Sequence, residues 1–341
     1  MSEISAKAFA RAGLLGNPSD GYHGKSISFT IRNFSAEVCL RPSSKLRISS
    51  DWEADHQYDS IRELSNRVAE RGFYGAGRLI TAAIHRFFRF VSPTVDLPAR
   101  NFEVSYTTNI PRQVGLAGSS SIVVATLRAL CLWYNVTIPP HLLASLSLAA
   151  ETDLGIPAGL QDRVIQAMEG LVFMDFSADA MRCEQDLEFG KYESLDPTLL
   201  KNIYVAYTTH AGQPTEILHN DLRRRFDSGD SEVIETIQQL ASLAERGKAA
   251  ILKQDHVQLG QFINQNFDLR KKICRLDPRH VEMVETARNC GASAKFCGSG
   301  GAIVGTYGNP EILTRLREQL MRIGCKFILP KELIQSPATE T

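Results

Sequence analysis

The stretch Val114–Leu130, VGLAGSSSIVVATLRAL, passes directly from small, flexible residues into a long apolar run. Gly115 and Gly118 allow tight backbone angles and let a ligand approach the main chain closely. From Ile122 the residues are apolar and compatible with a helix, and one of the serines at Ser119–Ser121 can cap its start. Because a helix N-terminus carries unpaired N–H groups and partial positive charge, this junction is typical of an anion site, usually for phosphate. A strand–turn–helix junction that uses small residues only for packing is the alternative interpretation.

The composition of the whole chain narrows the class of protein. Its 341 residues are 43% hydrophobic, which is enough for a large core and, at this length, favours two domains. The formal net charge is 0, so no basic excess indicates nucleic-acid binding and no polybasic tract indicates a membrane surface. No apolar run approaches the roughly 20 residues that a bilayer crossing needs, and the N-terminal residues lack an apolar segment of the signal-peptide type. We therefore expect neither a nucleic-acid partner nor a membrane partner.

The cysteines and histidines give no sign of a protein-built metal site. The seven cysteines are an odd number and contain no CxxC pair, and the eight histidines are dispersed. Scattered thiols of this kind are typical of a reducing compartment, so we expect a cytoplasmic protein without disulfides or zinc.

Periodicity along the chain predicts an α+β fold, because strands and helices are mixed without regular βαβ alternation. The polar, irregular segment 180–196 is the best candidate boundary, which predicts an N-terminal domain over 1–190 and a C-terminal domain over 191–341. The predicted strands lie near 26–40, 101–111, 170–176, 202–210, 295–307 and 326–330, and the predicted helices near 60–91, 122–130, 141–153, 160–168, 216–288 and 312–323.

One apparent phosphate motif fails on inspection. The segment SDGYHGKS ends in Gly24-Lys25-Ser26, as a Walker A loop does, but Ser19 stands where that motif needs its first glycine. The residues that follow also read as a strand, whereas a Walker A loop runs into a helix. We interpret this segment as a surface turn.

Three glycine-rich stretches occur in order along the chain: ARAGLLGNPSD at 10–20, PRQVGLAGSSSI at 111–122 and KFCGSGGAIVG at 295–305. Together they resemble the three motifs of the GHMP kinase superfamily, which includes galactokinase, homoserine kinase and mevalonate kinase. The resemblance covers nearly the whole chain. It implies a two-domain fold, with an N-terminal domain like ribosomal protein S5 and a ferredoxin-like C-terminal domain.

Within the superfamily, the same stretches and the segment GLQDRV resemble the plant-type glucuronokinase branch. Asn17-Pro18 replaces the Glu-His pair of galactokinases, which argues against galactose. The resemblance implies an ATP- and Mg²⁺-dependent sugar 1-kinase that converts D-glucuronate to D-glucuronate 1-phosphate. A GHMP kinase for galacturonate, galactose, arabinose or fucose is one alternative, and a non-catalytic sensor of ATP and sugar is another.

The resemblance also assigns the nucleotide and metal residues. The loop that would wrap the ATP phosphates comprises Pro111, Gly115, Leu116, Ala117, Gly118, Ser119, Ser120 and Ser121. Ser119, with Ser120 as the next candidate, and Glu151 would ligate Mg²⁺, which prefers oxygen ligands. On its own, Glu151 reads equally well as a solvated residue at a helix end.

Two further residues would carry the chemistry. By resemblance, Asp162 is the catalytic base, and Arg11 holds it ionised or stabilises the transferring phosphoryl group. Without the motifs, Asp162 reads as a first-turn acid that the helix dipole favours, and Arg11 as a surface charge.

The sugar site is less well defined in the sequence. The candidate substrate-binding residues are Asn17, Asp20, Arg112, Gly298, Ser299 and Gly300. Arg112 or Arg163 is a candidate for binding a uronate carboxylate, although Arg163 could instead pair with a neighbouring acid on its own helix, and Asp20 could belong to an Asx turn. We expect a sugar or sugar acid and ATP as partners, and a monomer or weak homodimer.

Overall fold

The computed structural model describes residues 2–49, 56–75, 77–156, 159–209 and 215–330. The strands are β1 (Ile4–Leu15), β2 (Lys25–Ser43), β3 (Leu46–Ile48), β4 (His56–Tyr58), β5 (Asn101–Thr108), β6 (Leu171–Asp175), β7 (Arg182–Glu184), β8 (Leu187–Phe189), β9 (Lys191–Leu195), β10 (Ile203–Thr208), β11 (Lys295–Phe296), β12 (Ala302–Thr306) and β13 (Cys325–Ile328). The α-helices are α1 (Ile61–Arg71), α2 (Arg78–Val91), α3 (Gly118–Tyr134), α4 (Pro140–Asp153), α5 (Gln161–Met168), α6 (Thr215–Asp227), α7 (Ser231–Leu252), α8 (His256–Ile273), α9 (Pro278–Asn289) and α10 (Pro310–Arg322).

The first sheet is built around the 19-residue strand β2, which pairs with β1, β5 and β6, all antiparallel. Its strand order is β4-β3-β5-β2-β6-β9, and β1 joins the sheet through β2. Alternate positions of β1 carry the buried alanines Ala6, Ala8, Ala10 and Ala12, whose small side chains let α3 pack close to the strand. The residues between them, Lys7, Phe9 and Arg11, alternate to the other face.

The second sheet has the order β11-β12-β10-β13, and every pairing in it is antiparallel. Strand β10 is followed by helices, then by β11 and β12, then by α10 and β13. This β-α-β-β-α-β order is the ferredoxin-like arrangement. The expectation of an α+β fold with a ferredoxin-like C-terminal half is therefore confirmed. Among the described residues, no helix combines the length and the apolar character that a membrane crossing requires.

The segment 180–196, which the sequence predicts to be irregular, contains three short strands. Strands β7 and β8 form a hairpin, and β9 pairs with β6 as an outer strand of the first sheet. The prediction fails here because β9 is mostly exposed and buries fully only Leu195, so it has almost no apolar alternation. The chain passes from the first sheet to the second between residues 196 and 202, a few residues after the proposed boundary at 190. The division into two domains stays a prediction.

The start of α3 also differs from the expectation. The helix begins at Gly118, and its N-cap is Ala117, which has a φ of +62° and makes no side-chain capping bond. The serines lie inside the first turn, where the hydroxyls of Ser120 and Ser121 donate to the Ala117 carbonyl at 3.2 and 2.7 Å. The prediction of a serine cap is therefore wrong, because the serines fall beyond the capping position. The sequence also predicts that Gly155, Pro157 and Gly159 interrupt the chain between α4 and α5, and Pro157 lies outside the described residues.

Candidate active site

Arg11 and Asp162 form a bidentate ion pair at the centre of the site. Strand β1 carries the buried Arg11, and Asp162 lies in the first turn of α5. Arg11 Nε donates to Asp162 Oδ1 at 2.7 Å, and Nη2 donates to Oδ2 at 2.9 Å. Burial opposes the charge of Arg11, but the facing carboxylate outweighs it and raises the pKa of the guanidinium. The guanidinium therefore stays charged, and its two parallel bonds fix the two groups relative to each other.

The remaining nitrogen of Arg11 joins all three glycine-rich stretches. Its Nη1 donates to the Gly115 carbonyl at 2.6 Å and to the Cys297 carbonyl at 3.3 Å. The Gly13 amide reinforces this contact by donating to the same Cys297 carbonyl at 2.8 Å. Arg11 thus connects the first strand, the loop before α3 and the turn after β11. Segments that are far apart in the sequence meet at one guanidinium.

The two glycine loops are packed too closely for side chains. A Cβ on Gly115, which has a φ of +72°, would lie 2.9 Å from the Gly300 carbonyl oxygen. A Cβ on Gly298 would lie 2.4 Å from the Gly115 carbonyl oxygen and 2.9 Å from Arg11 Nη2. Since real Cβ atoms do not approach so closely, these positions require glycine. The loop before α3 and the turn between β11 and β12 therefore form one continuous wall.

Ser119 and Glu151, the two predicted Mg²⁺ ligands, bring two side-chain oxygens together at the start of α3. The exposed Ser119 donates its hydroxyl to Glu151 Oε1 at 3.1 Å, while Glu151 itself is fully buried near the end of α4. Arg163 Nε donates to the other oxygen, Oε2, at 2.6 Å, which balances the buried charge. One hydroxyl and one carboxylate oxygen suit Mg²⁺, which completes its shell with water and phosphate. No cluster of three His, Cys, Asp or Glu side chains suited to a metal occurs among the described residues.

The other two serines of the loop serve the structure of the loop itself. Ser120 and Ser121 are buried, and their hydroxyls donate to Ala117 as described above. Gln166 on α5 donates from Nε2 to Ser121 Oγ at 2.7 Å and to the Ala117 carbonyl at 2.9 Å. Helix α5 is thus attached directly to the first turn of α3, which fixes Asp162 relative to the loop.

Asp20 lies in a short 3-10 helix, Ser19–Tyr22. Gly159 stands three residues before Asp162, and a Cβ on it would lie 2.3 Å from Asp20 Oδ2. The glycine therefore leaves room for the Asp20 carboxylate. Burial, together with the negative charge of Asp162, raises the pKa of Asp20 to about 7, although Arg11 opposes the shift. Two carboxyl groups therefore share the positive field of one arginine.

The predicted sugar residue Asn17 is buried, and its side-chain oxygen is already bonded. Lys295, which is 1% exposed, donates from Nζ to Asn17 Oδ1 at 2.5 Å, to the Gly13 carbonyl at 2.6 Å and to the Phe296 carbonyl at 2.9 Å. Burial lowers the pKa of Lys295 well below its ordinary value. The contacts give Asn17 a role in joining β1 to β11.

Arg112 and Arg163, the predicted candidates for a uronate carboxylate, lie in different environments. Arg112 is exposed in the loop before α3. Arg163 is buried and contacts Glu151, the Gly159 carbonyl at 3.0 Å and, more distantly, Asp162 at 3.9 Å. The alternative in which Arg163 pairs with a nearby acid is the one that the structure contains, although Glu151 lies on the preceding helix.

Arg270 and Lys295 support the site, and sequence reasoning missed both. Arg270 on α8 donates to the Gly298 carbonyl at 2.6 Å and lies 5.6 Å over the Phe296 ring. These two contacts support the glycine turn between β11 and β12. Ser299 contributes a carbonyl to the same arginine at 3.4 Å. For Lys295 the sequence contains one usable signal, because this lysine opens the third glycine-rich stretch and stands beside apolar residues. Arg270 lies in a long helical region and gave none.

Comparison with known proteins agrees with this arrangement. The family model for the GHMP kinases N terminal domain matches residues 78–170. The chain is 43% identical to Glucuronokinase 1 of Arabidopsis thaliana over 309 residues, covering 88% of this chain and 84% of that protein. It is 44% identical to Probable glucuronokinase 2 of the same plant, covering 87% and 82%. The crystal structure of Lactococcus lactis galactokinase complexed with galactose superposes with a TM-score of 0.78 at 15% identity, covering 96% of this chain and 92% of that one.

The fold and the three joined glycine stretches thus define a GHMP kinase, a phosphotransferase that acts on an alcohol group and uses ATP. The identity to the two plant enzymes is far above what shared fold alone requires, and it extends over most of both chains. Within the GHMP kinases, the chain belongs to the glucuronokinase family.

Proposed function

We propose that this protein transfers the γ-phosphoryl group of ATP to the anomeric hydroxyl of D-glucuronate. The products are D-glucuronate 1-phosphate and ADP. The names of the two plant relatives support the substrate. The observation that carries the proposal is the position of Arg11, which clamps Asp162 and contacts both glycine loops. The candidate base is thereby held where the phosphate loop and the C-terminal turn meet.

In this proposal Asp162 accepts the proton of the anomeric hydroxyl. The sugar oxygen then bonds to the γ-phosphorus as the bond between that phosphorus and the β,γ-bridging oxygen breaks, and ADP leaves. Arg11 holds the carboxylate in orientation through two parallel N–H bonds, which leaves the geometry of the base unchanged during the transfer. The Arg11 charge also lies beside the site where phosphate charge develops.

The loop at 111–121 is the proposed nucleotide site. Gly115 and Gly118 expose their backbone at the start of α3, whose N-terminus is directed at the proposed phosphate site. Leu116, Ala117 and Pro111 shape the loop, while Ser120 and Ser121 are turned inward. The described contacts favour Ser119 over Ser120 as the metal ligand, because only Ser119 of the three is exposed and bonded to Glu151. Bound there, Mg²⁺ would neutralise phosphate charge and align the γ-phosphoryl group.

Asp20 is the proposed partner of the sugar ring hydroxyls. The turn at Gly298, Ser299 and Gly300 would close over the sugar and the phosphates. Asn17 would contribute indirectly, because its buried contact with Lys295 holds the start of the 3-10 helix that carries Asp20.

The first experiment measures ATP consumption with Mg²⁺ across free sugars, for wild type and Asp162→Asn. D-Glucuronate, D-galacturonate, D-galactose, L-arabinose and L-fucose form the panel. We expect turnover with glucuronate, and a loss in Asp162→Asn of about a hundredfold to ten-thousandfold in kcat, because the base is removed. Nucleotide affinity should persist, since Asp162 does not belong to the phosphate loop.

Asp268→Asn, on the outer face of α8 beside Arg288, is the matched control and should retain full activity. Turnover with a different sugar would overturn the proposed substrate but would leave the proposed mechanism in place. ATP binding without turnover on any sugar would favour the sensor.

A further inference from the structure

A kinase that accepts a sugar acid in preference to a neutral sugar needs a cation for the carboxylate. A planar guanidinium with one open edge is the best partner, because it can donate two parallel N–H bonds. This inference rests on the proposed function and concerns which residue supplies that cation.

The buried cations around the site already donate to protein acceptors. Arg11 is held by Asp162 and two carbonyls, and Arg163 is held by Glu151. Arg270 and Lys295 donate to backbone carbonyls of the glycine turn and of β1. Using any of them for a substrate carboxylate would break a bond that positions the catalytic groups.

Arg223 on α6 is different, because it stands outside the three motifs and its side chain is 49% exposed. Its guanidinium lies 4.4 Å over the Tyr22 ring, which in turn packs on Phe226 with the ring centroids 4.8 Å apart. Nη2 donates to the Gly21 carbonyl at 2.5 Å, and the nearest acid among the described residues, Asp227, stands 3.8 Å away. The group is therefore held in one orientation while part of it faces solvent.

The position of Arg223 relates it to the catalytic groups through the 3-10 helix Ser19–Tyr22. Arg223 contacts the backbone of Gly21 and the ring of Tyr22, and Asp20 directly precedes these two residues, with its Oδ2 against Gly159. We infer that Arg223 binds the carboxylate of the sugar acid and is the residue that separates uronic acids from neutral sugars.

The chemistry of a hexuronic acid suits this spacing. Its carboxylate is carried on the ring carbon that neighbours the ring oxygen on one side, and the anomeric carbon neighbours that oxygen on the other. In the inferred pose the anomeric hydroxyl lies at Asp162 and other hydroxyls at Asp20, and the carboxylate is directed toward Arg223, which contacts the two residues after Asp20. A neutral sugar offers no charge to the guanidinium and gains nothing from it.

The test compares Arg223→Met with Arg224→Met in the full-length protein. Arg224 is the matched control, because it is the next residue on the same helix, 80% exposed, and paired with Asp221 at 2.7 Å. The ligands are D-glucuronate and D-glucuronamide, a neutral amide of nearly the same shape. We expect Arg223→Met to raise the KM for glucuronate about ten- to hundredfold, while kcat and the KM for ATP stay within about threefold of wild type.

The glucuronamide measurement separates recognition from a structural role. If Arg223 binds the carboxylate, the KM or inhibition constant of the amide stays unchanged in Arg223→Met. If the amide weakens as much as glucuronate does, Arg223 only supports the fold and the inference is overturned. Arg223→Lys keeps the charge without the planar fork, and a glucuronate KM between wild type and Arg223→Met supports the inference even where the methionine variant folds poorly.

Two other outcomes would also decide the matter. An unchanged glucuronate KM in Arg223→Met, with an increase in Arg112→Met, would move the role to Arg112. If wild type turns over a neutral sugar and ignores glucuronate, the proposed function fails and the inference is overturned with it. An unchanged glucuronate KM in Arg223→Met, measured against a wild type that uses glucuronate, overturns the inference alone.

Discussion

At the scale of single residues, the site combines two carboxyl groups of different character. Asp162 is neutralised by a bidentate arginine, whereas Asp20 depends on the same arginine at longer range. Burial and the charge of Asp162 therefore raise the pKa of Asp20 to about 7. Near neutral pH, the Asp20 carboxyl group is present in a protonated form, which donates through its hydroxyl, and in an ionised form, which only accepts. The proposed sugar substrate meets both forms.

Asp20 should make the stability of the protein depend on pH. Its pKa rises from 3.8 to about 7 on folding, so between these values the folded protein holds a proton that the unfolded chain has released. The folded state is then favoured at the acid end of this window, and its stability declines as the pH rises toward 7. Asp20→Asn removes this effect.

The measurement is the melting temperature of wild type and Asp20→Asn from pH 5 to pH 8. We expect the variant to gain stability relative to wild type as the pH increases. Asp186→Asn, in the exposed turn between β7 and β8, controls for loss of one negative charge. A difference between Asp20→Asn and wild type that stays constant with pH would contradict the prediction.

At the scale of elements, the junction that opens α3 depends on one unusual backbone conformation. Ala117 has a φ of +62°, which costs a residue with a Cβ about 1 kcal/mol or more. Its carbonyl accepts from Ser120, Ser121 and Gln166, and these bonds hold the conformation. Glycine adopts this conformation without steric cost, so this chain keeps the geometry with a less suitable residue.

Ala117→Gly should therefore raise the free energy of unfolding by up to about 1 kcal/mol, because glycine adopts this conformation without steric cost. Ala117→Val should lower it by more than that, because a β-branched side chain is worst placed there. Urea denaturation followed by circular dichroism gives both values. Opposite signs are the expected result, and a loss of stability in both variants would show that the methyl group packs usefully.

The elements also show what the sequence could predict. The glycine stretches and most helices follow from local patterns, because periodicity and motif spacing are properties of neighbouring residues. The combination of Arg11 with Asp162 follows only from the resemblance to the GHMP kinases, since the two residues are 151 positions apart. Strand β9 could not be predicted, since its pairing with β6 is set by the sheet and only Leu195 is fully buried. Arg270 and the bonds of Lys295 could not be predicted either, because their partners lie in other elements. The roles proposed for the site residues remain predictions.

At the scale of the whole molecule, the two sheets meet at buried polar contacts. Lys295, at the start of the second sheet's edge strand β11, donates to Gly13 and Asn17 at the end of β1. Since buried acceptors without a donor are costly, this contact links the stability of the two halves. The oligomeric state, predicted as monomer or weak homodimer, is a separate property that sedimentation would measure.

Lys295→Met should lower the free energy of unfolding by about 1–3 kcal/mol, because it removes the donor from three buried acceptors, Asn17 Oδ1 and the Gly13 and Phe296 carbonyls. It should also uncouple the halves. Both tryptophans, Trp52 and Trp133, precede residue 190, so their fluorescence reports the first half, whereas circular dichroism reports the entire chain. We expect the two urea transitions to coincide in wild type and to separate in the variant.

Lys271→Met, at an exposed lysine of α8 that pairs with Glu285, is the control and should leave the transitions coincident. Coincident transitions of unchanged midpoint in Lys295→Met would show that the amine contributes nothing to joining the halves.

The bonds of Arg11 have a consequence for how the protein is made. Its partners lie 104, 151 and 286 positions further along the chain, so the ribosome releases them in that order. The phosphate loop is complete early, the base follows, and the carbonyl of Cys297 arrives only when synthesis is nearly finished. A nascent chain that stalls before this point has the parts to attract nucleotide and lacks the wall that encloses it. Under the proposed function, phosphoryl transfer is therefore the last property that the growing polypeptide acquires.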